Sequence, residues 1–343
     1  MESKSFNFRD GKESFSTVEK KGRCMDQCAT FNDKYICCRV HVLRSIHNCP
    51  FECSYCFLQN YLTDGRSKTV EDIDMLMREI KDNISRQPGR LFRIGTWELG
   101  DSLALETSIG QAANLIREFS MLNNAVLELK TKSDCVDTLL KLDHGHRTII
   151  SWSLNTPAVR KADEKGTASI EQRINAISKA AKAGYMIGLH FDPMILHDDW
   201  EQGYAYLVKN IFSVLDSASI AWISIGSLRF NPEMKKKIEN NYPDSRLTAA
   251  EMVLGDDSKV RYVKPMRIKM YTDLMSELNK FITPDVLVYL CMERWDVWEK
   301  VLKFRPESSS HLDYLFAESL YSRFAIGDTP PDRKRYEEAD IPA

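Results

Sequence analysis

Three cysteines stand close together in the chain, Cys49, Cys53 and Cys56, with three and then two residues between them. Thiolates are soft ligands that select zinc, copper(I) or iron–sulfur clusters. A closed structural zinc site takes four ligands, and an ordinary cubane cluster also takes four cysteines. Three cysteines on one loop therefore predict a [4Fe–4S] cluster with one iron left for a ligand from outside the protein. The alternative is a noncatalytic module that binds zinc or a simple iron–sulfur centre.

Length and composition indicate a globular enzyme of ordinary charge. The 343 residues are 43% apolar, which suits one large domain with a sizeable core. A net charge of −2 gives no global basic field for nonspecific nucleic-acid binding. No apolar run reaches the length of a membrane span, and the first residues lack an apolar signal core. Nine irregularly spaced cysteines do not suggest a secreted disulfide framework. We expect a cytoplasmic monomer without a membrane segment.

Strand-like and helix-like segments alternate from residue 35 onward. We interpret residues 1–34 as a polar lead-in, extended or partly disordered, and 35–304 as the main domain. Residues 305–343 form a C-terminal extension that we expect to be poorly ordered from about residue 328. The predicted strands cover 35–43, 91–96, 125–129, 148–154, 185–191, 220–225 and 286–290. This alternation predicts an α/β fold with a parallel sheet of at most seven strands, in a partial or full (β/α) barrel.

Two of the intervening segments carry signals for the start of a helix. Residues 69–84 begin with Thr69-Val70-Glu71-Asp72, which has the spacing of a capping box, and their apolar residues recur at helical intervals. Residues 169–183 begin with Ser169 and are followed by Gly184, a residue type that commonly ends helices. We predict a helix over each segment.

Before the loop of Cys49, Cys53 and Cys56, the chain contains four further cysteines, Cys24, Cys28, Cys37 and Cys38. They could hold a second cluster or a zinc ion. Neighbouring residues on a strand point to opposite faces, however, so Cys37 and Cys38 cannot easily share one metal. Buried or free thiols are the favoured interpretation.

Polar residues follow most of the predicted strands, and in (β/α) barrels the chemistry occurs at those carboxyl ends. A carboxylate such as Glu98 could hold the amino group of a bound amino acid, and Lys132 could pair with its carboxylate, whereas Lys130 is interpreted as surface charge. His190 and Asp192 share one strand face and are candidates for catalysis or substrate binding, with a core hydrogen-bond pair as the alternative. The remaining candidates at strand ends are Ser102, Cys135, Ser153, Asn155, Arg229 and Cys291.

Residues 259–271 form a basic run interleaved with tyrosines. Such a run could bind phosphates and stack on a base, which makes it a candidate substrate-binding surface. The alternative is an ordinary amphipathic helix with its methionines and leucines facing inward. The candidate contacts are Arg261, Tyr262, Lys264, Arg267 and Tyr271.

Taken together, these segments resemble the spore photoproduct lyase family of radical S-adenosylmethionine (SAM) proteins, from about residue 35 to 304. The resemblance rests on the cysteine loop with Phe57-Leu58-Gln59 after it, and on the segments 98–102, 131–132, 153–155, 183–185, 200–204 and 229–230. It implies a partial (β/α)6-type radical SAM barrel whose reduced [4Fe–4S] cluster cleaves SAM to a 5′-deoxyadenosyl radical. It also implies SAM contacts from Lys132, Ser153 and Asn155, and less directly from Glu98 and Ser102. An electron donor such as flavodoxin or ferredoxin is the expected partner.

The sequence departs from that family at two points. The lyase has a hydrogen-donating cysteine on the loop after its second strand, and here residues 96–100 contain none. The lyase also has a tyrosine directly after the third cluster cysteine, where this chain has Phe57. Tyr55 is retained as a catalytic candidate, and Cys135 or Cys291 could replace the missing donor. We therefore expect hydrogen abstraction from a nucleotide or nucleic-acid-derived substrate, with radical C–C bond formation on a nucleoside or small metabolite as the alternative.

Overall fold

The computed structural model describes residues 11–19, 22–28, 32–62 and 64–338. The first ten residues and the last five, for which we predict no signal core and a poorly ordered end, lie outside the described residues. The strands, in chain order, are β1 (Phe15–Val18), β2 (Met25–Gln27), β3 (Tyr35–Ile36), β4 (His41–Leu43), β5 (Ile46–His47), β6 (Glu52–Cys53), β7 (Ser67–Val70), β8 (Phe92–Gly95), β9 (Ala125–Thr131), β10 (Thr148–Ser153), β11 (Glu164–Lys165), β12 (Met186–Met194), β13 (Ile220–Ser227), β14 (Arg229–Phe230), β15 (Met252–Leu254), β16 (Val260–Tyr262), β17 (Leu287–Leu290) and β18 (Glu293–Arg294).

Helices fill most of the connections between the longer strands. They are α1 (Ile73–Ser85), α2 (Glu106–Ile109), α3 (Gln111–Ser120), α4 (Pro157–Asp163), α5 (Ile170–Lys182), α6 (Trp200–Phe212), α7 (Pro232–Asn241), α8 (Lys264–Leu278), α9 (Trp295–Leu302), α10 (Ser309–Phe324) and α11 (Arg333–Glu338), with short 3-10 turns at Phe57–Asn60 and Ser217–Ser219. Within the described residues, no helix is long and apolar enough to cross a membrane.

One curled sheet of eight strands organises the molecule, in the order β17-β13-β12-β10-β9-β8-β4-β2. The seven strands from β17 to β4 run parallel, and β2 pairs antiparallel with β4 at the edge. A parallel sheet needs crossover connections, and the helices between its strands supply them. The sheet is a half-barrel, so the predicted partial (β/α) barrel is confirmed.

The first predicted strand and the first predicted helix differ from the structure. Residues 35–43 are divided into β3 and β4, and Arg39 between them has a positive φ of 53°. Residues 67–70 are not helical but form β7 between β1 and β5, because Thr69 and Val70 are buried there. Helix α1 begins only after Asp72, whose side chain accepts a hydrogen bond from the amide of Met75.

Both ends of the chain are joined to the barrel within the described residues. The predicted lead-in contributes β1 and β2, so part of it is extended and paired in sheets. The poor order expected from residue 328 stays a prediction, and within the described residues this stretch contains α11. Tyr336 of α11 is buried, and its hydroxyl accepts a hydrogen bond of 3.1 Å from the amide of Leu91. This contact holds the extension against β8.

Helix α5 has the capping box that its sequence predicts. The Ser169 side chain accepts from the Gln172 amide at 3.1 Å, and the Gln172 side chain accepts from the Ser169 amide at 2.7 Å. Replacing Ser169 by alanine should lower the free energy of unfolding by about 1 kcal/mol, because one helix donor loses its acceptor. Urea unfolding followed by tryptophan fluorescence measures this. Ser169→Asp keeps an acceptor and serves as the control; an equal loss in both variants would contradict the role of the cap.

Candidate active site

The cysteine loop is tied down on both sides. Strand β6, which contains Cys53, pairs antiparallel with β11. The Cys56 amide donates to the Cys53 carbonyl at 3.0 Å, and the 3-10 turn at Phe57–Asn60 follows at once. Burial raises the pKa of all three thiols, that of Cys49 to about 12. Thiolates at these positions therefore need a positive charge beside them.

Two lysines supply positive charge near the loop. Lys12 is only 4% exposed, and its Nζ donates to Asn48 Oδ1 at 2.7 Å and to the Cys49 carbonyl at 2.9 Å. Burial lowers the pKa of Lys12, while the neighbouring cysteines oppose this shift. Lys132 counteracts the effect of burial on the pKa of Cys53 and Cys56. The sequence predicts Lys132 but gives no signal for Lys12, which lies 37 residues before Cys49.

A buried network stands behind the loop and includes one predicted catalytic residue. The Tyr55 hydroxyl donates to Glu164, whose other oxygen accepts from Arg173 Nη2 at 2.7 Å. Asn155 donates to Glu164 at 3.1 Å and accepts from the Tyr204 hydroxyl at 2.7 Å. Both polar ends of Asn155 are thus already engaged, so the structure makes it a positioning residue for Glu164. Its predicted contact with SAM stays a prediction.

The other predicted SAM contacts lie around the ends of β8, β9 and β10. Asp101, which the sequence analysis passed over, accepts from Thr131 Oγ1 at 2.6 Å and from the Lys132 amide at 2.7 Å. It therefore fixes the backbone of Lys132, whose Nζ lies 5.7 Å from the centre of the Tyr55 ring. The Ser102 hydroxyl accepts a hydrogen bond of 2.7 Å from Thr96 Oγ1.

Glu98 and Ser153 complete this set of predicted SAM contacts. Glu98 is half-buried, and burial raises the pKa of its carboxyl. Ser153 is buried, and its carbonyl accepts from Arg173 Nη1 at 2.8 Å. No described contact of either side chain opposes the predicted role, so both stay predictions.

A second group of polar residues lies at the mouth of the half-barrel. Lys130 Nζ stands 3.6 Å from the centre of the Trp97 ring, so Lys130 is not the surface charge expected from the sequence. Asp192 accepts from Arg229 Nη1 at 3.0 Å, and Arg229 Nη2 donates to Cys291 Sγ at 3.2 Å. Burial alone would raise the pKa of Asp192, but Arg229 and Lys130 outweigh it and hold this pKa below its ordinary value. We call these five residues the mouth group.

Glycines make room for the mouth group. An ideal Cβ at Gly226 would lie 2.6 Å from Asp192 Oδ1, and one at Gly95 would lie 2.5 Å from Trp97 Nε1. Contacts below 3.0 Å require a shift of one partner. Any larger residue at these two positions would therefore displace Asp192 or Trp97.

His190 is buried and hydrogen-bonded within the core. Its Nε2 lies 2.8 Å from Glu128 Oε1, an oxygen that also accepts from Ser151 at 2.9 Å and from Trp222 Nε1 at 3.1 Å. Burial lowers the pKa of His190, so its imidazole is neutral at pH 7. The catalytic role predicted for His190 stays a prediction. Its hydrogen bond to Glu128 is the contact expected for the alternative, a core hydrogen-bond pair, and its ring centre also lies 6.3 Å from that of Trp97.

The five predicted contacts of the basic run 259–271 are all engaged by other residues of the chain. Arg261 is 2% exposed and pairs with Asp257, and Arg267 is bound by Glu293 at 2.8 and 3.1 Å. The hydroxyls of Tyr262 and Tyr271 accept from the amides of Leu196 and Ser227, and Lys264 donates to Asp296 at 2.6 Å. The substrate contacts predicted for this run stay predictions, and in the structure carboxylates and amides of the chain itself bind these five side chains.

The two cysteines predicted at strand ends, Cys135 and Cys291, have different surroundings. Cys135 Sγ accepts from Thr107 Oγ1 at 3.6 Å and is not part of the mouth group, whereas Cys291 is. Within the part of the chain that the structure describes, no three His, Cys, Asp or Glu side chains are grouped as metal ligands. This holds for Cys49, Cys53 and Cys56 as well, so the fit of a cluster to them rests on the donor set and its surroundings.

Comparison with known proteins agrees with this fold. The family model for spore photoproduct lyase matches residues 43–287. Spore photoproduct lyase from Bacillus subtilis (strain 168) is 27% identical over 217 residues, which cover 62% of this chain and 62% of that protein. The protein of the same name from Clostridium acetobutylicum is 24% identical over 251 residues, or 71% of this chain and 72% of that one.

A solved structure shares the architecture as well. A spore photoproduct lyase variant with bound AdoMet and dinucleoside spore photoproduct superposes with a TM-score of 0.73 at 22% identity, covering 82% of this chain and 84% of that one. Half-barrel and cysteine loop together define a radical SAM protein. The family model matches more than half of the chain, so within that class the chain belongs to the spore photoproduct lyase family. The chain spans about three fifths of the length of the Bacillus relative.

The cofactors of this family, a [4Fe–4S] cluster and SAM, fit the residues present. Cys49, Cys53 and Cys56 provide three thiol donors on one loop, and the loop supplies no fourth. Lys12 and Lys132 offset the negative charge that thiolates bring into a buried site.

The interior charge of Glu128 gives a stability test. Burial alone would raise the pKa of Glu128, but its hydrogen bonds and the charges of Arg93 and Lys130 lower it below the ordinary value of 4.5. Glu128→Gln should cost about 3 kcal/mol or more at pH 7, because Arg93, 3.7 Å away, keeps a buried charge without its carboxylate. Ionised Glu128 stabilises the fold above pH 4.5 and loses that effect as the pH falls, so the deficit should shrink below pH 4.5.

Urea unfolding of both proteins at several pH values between 7 and 3 measures this deficit. Glu171→Gln, an exposed change on α5, is the matched control and should show no deficit. A deficit that does not vary with pH would contradict an ionised Glu128.

Proposed function

We propose that this protein is a radical SAM enzyme that abstracts a hydrogen atom from a nucleotide or nucleic-acid-derived substrate at the mouth group. The observation that carries the proposal is the end of β9, where Lys130 approaches Asp192 and Lys132, one residue after the strand, approaches the cysteine loop. Cofactor and substrate would thus be held side by side at the carboxyl ends of the strands, where barrel enzymes place their chemistry.

The residues of the loop would hold the cofactors. Cys49, Cys53 and Cys56 would bind the cluster, and Glu98, Lys132 and Ser153 would contact SAM. When bound, these groups supply a 5′-deoxyadenosyl radical. Tyr55 and Glu164 hold the loop against β11, which keeps the cysteines and Lys132 in register. The task of these side chains is to position the ligands and to keep water out of a buried site.

The mouth group suits a substrate with a base and a phosphate. Arg229 and Lys130 are cations at a partly buried site, and Asp192 is the one carboxylate among the five residues of the group. Trp97 offers an indole face for stacking, and base stacking on aromatic side chains contributes to nucleotide binding. The dinucleoside photoproduct in the solved relative supports the same substrate class.

Cys291 is the proposed source of the hydrogen atom that returns to the product radical. Its S–H bond would break homolytically and a C–H bond would form on the product, leaving a thiyl radical on Cys291. One electron from the enzyme's electron donor, together with one proton, would restore the Cys291 thiol. Cys291 is favoured over Cys135 because only Cys291 contacts Arg229 of the mouth group.

The electron donor would approach beside the cysteine loop. Phe57 directly follows Cys56 and is 43% exposed, and it meets the still more exposed Tyr61 edge to face at 6.0 Å. An exposed aromatic pair next to the ligands suits a transient contact with a flavodoxin or ferredoxin.

Cluster binding is tested by anaerobic reconstitution with iron and sulfide, followed by dithionite reduction with SAM. The wild type should take up about four irons per chain and form 5′-deoxyadenosine. Cys53→Ala should lose both, because the loop has no spare thiol. Cys24→Ala is the control and should keep both; eight irons in the wild type would indicate a second cluster, and no iron uptake would leave the zinc module.

Hydrogen return is tested in deuterated buffer with dinucleoside spore photoproduct as the probe. Wild-type product should carry one deuterium from the exchanged Cys291 thiol. Cys291→Ser should still form 5′-deoxyadenosine but lower deuterium uptake by about tenfold or more, because the step after abstraction is lost. Cys135→Ser should behave like the wild type.

Unchanged deuterium uptake in Cys291→Ser would contradict the assignment of Cys291. Radical formation with no uptake in any variant would favour the alternative of C–C bond formation.

A further inference from the structure

Two thiols outside the active site face each other at the edge of the half-barrel. Cys28 Sγ and Cys37 Sγ are 3.9 Å apart, and Cys37 Sγ also lies 3.5 Å from the Cys28 carbonyl. The Cys28 amide donates to the Val40 carbonyl at 2.8 Å, which continues the pairing of β2 with β4. Both cysteines are reduced in the structure. A disulfide needs an S–S distance of about 2.05 Å, so the two sulfurs would have to move closer by somewhat less than 2 Å.

The surroundings favour sulfur chemistry over metal binding. Cys24 precedes Cys28 in the same segment. Its thiol donates to the Gly22 carbonyl at 3.7 Å. Within the described residues no three potential ligands are grouped as a metal site. Cys37 thus has two thiol neighbours, namely Cys28 and Cys38, the next residue, with which it shares a side-chain hydrogen bond.

The two thiols differ in exposure. Cys28 is partly exposed, whereas Cys37 is 1% exposed and Cys38 beside it is also buried. An oxidant in solution would react with Cys28 first. Cys37 would then be the nearest thiol that could attack the resulting mixed disulfide and release the bound oxidant thiol. This is the arrangement of an attacking and a resolving cysteine.

We propose that Cys28 and Cys37 form a redox-active dithiol that closes to a disulfide on reaction with a low-molecular-weight disulfide such as oxidised glutathione. The Cys28 thiolate attacks one sulfur of the oxidant, forms a mixed disulfide and releases one reduced thiol. The Cys37 thiolate then attacks Cys28 and releases the second. Two thiols lose two electrons and two protons, and one oxidant disulfide becomes two thiols.

The pair lies at the seam between the two edges of the half-barrel, which is formed by the pairing of β3 with β18. Cys37 directly follows β3, which pairs with β18, and its amide donates to Ser309 Oγ of α10 at 2.9 Å. Strand β18 begins two residues after Cys291. A bond between Cys28 and Cys37 would join β2 covalently to this seam. It would restrict movement between the two edges of the sheet next to the mouth group, without altering a residue of that group.

The test uses the full chain with its cluster reconstituted, kept anaerobic in buffers with increasing ratios of oxidised to reduced glutathione. After acid quench and alkylation, peptide mass mapping reports every cysteine. We expect Cys28 and Cys37 to lose alkylation together and to appear as one cross-linked peptide pair. Iron content, measured in the same samples, should stay constant. That readout separates the disulfide from any failure of the proposed enzyme function.

Three variants decide the assignment. Cys28→Ser and Cys37→Ser should each abolish the cross-link, and Cys24→Ser, a buried thiol of the same segment, should keep it. The oxidised wild type should also unfold at a higher temperature than the reduced form, and Cys28→Ser should show no such difference. A Cys37–Cys38 cross-link, a link to a cluster cysteine, or full alkylation of Cys28 and Cys37 at the highest ratio would each overturn the proposal.

Discussion

The charge on the inward face of β9 is the constraint on which the interior of this protein depends. Glu128 is fully buried, and a carboxylate in such a place is tolerated only when hydrogen bonds and opposite charges surround it. Ser151, Trp222 and Arg93, each from a different strand, meet that requirement. Two and four residues further along the chain are Lys130, near the end of β9, and Lys132, directly after it, so a satisfied core anion is followed by two cations at the open end of the strand. Core and active site are thus built on one strand.

Sequence reasoning predicts the parts of this site whose signals are local. The cysteine spacing, the seven parallel strands and the capping box at Ser169 all depend on residues near one another in the chain, and the structure contains each of the last two. Where long-range burial decides, local patterns mislead. Residues 69–70 have a helix-start pattern but are buried in a small sheet, and Arg267 looks like a phosphate ligand until Glu293 is placed beside it.

Residues that act through distant contacts could not have been predicted from one sequence. Lys12 reaches Asn48 and the carbonyl of Cys49 across 36 and 37 residues, and Glu164 meets Tyr55 across 109. Each belongs to a polar segment without a motif. Trp97 follows β8 and Lys130 lies in the adjacent strand β9, yet their contact depends on the glycine at residue 95, which leaves the indole room to cross β8. Such sites are defined by the curvature of the sheet, which sequence periodicity does not report.

The nine cysteines of this chain are suited to different chemistry because their surroundings differ. Three share a buried loop beside Lys12 and Lys132, where thiolates can be neutralised by a cluster. Cys291 is alone among charged neighbours, so it has no thiol partner in the mouth group and is suited to give up a single hydrogen atom. Cys28 and Cys37 face each other and are suited to a two-electron oxidation. The family's missing cysteine after β8 therefore need not mean a missing donor, because the same half-barrel can present a thiol from its last parallel strand and keep it apart from the pair at the seam.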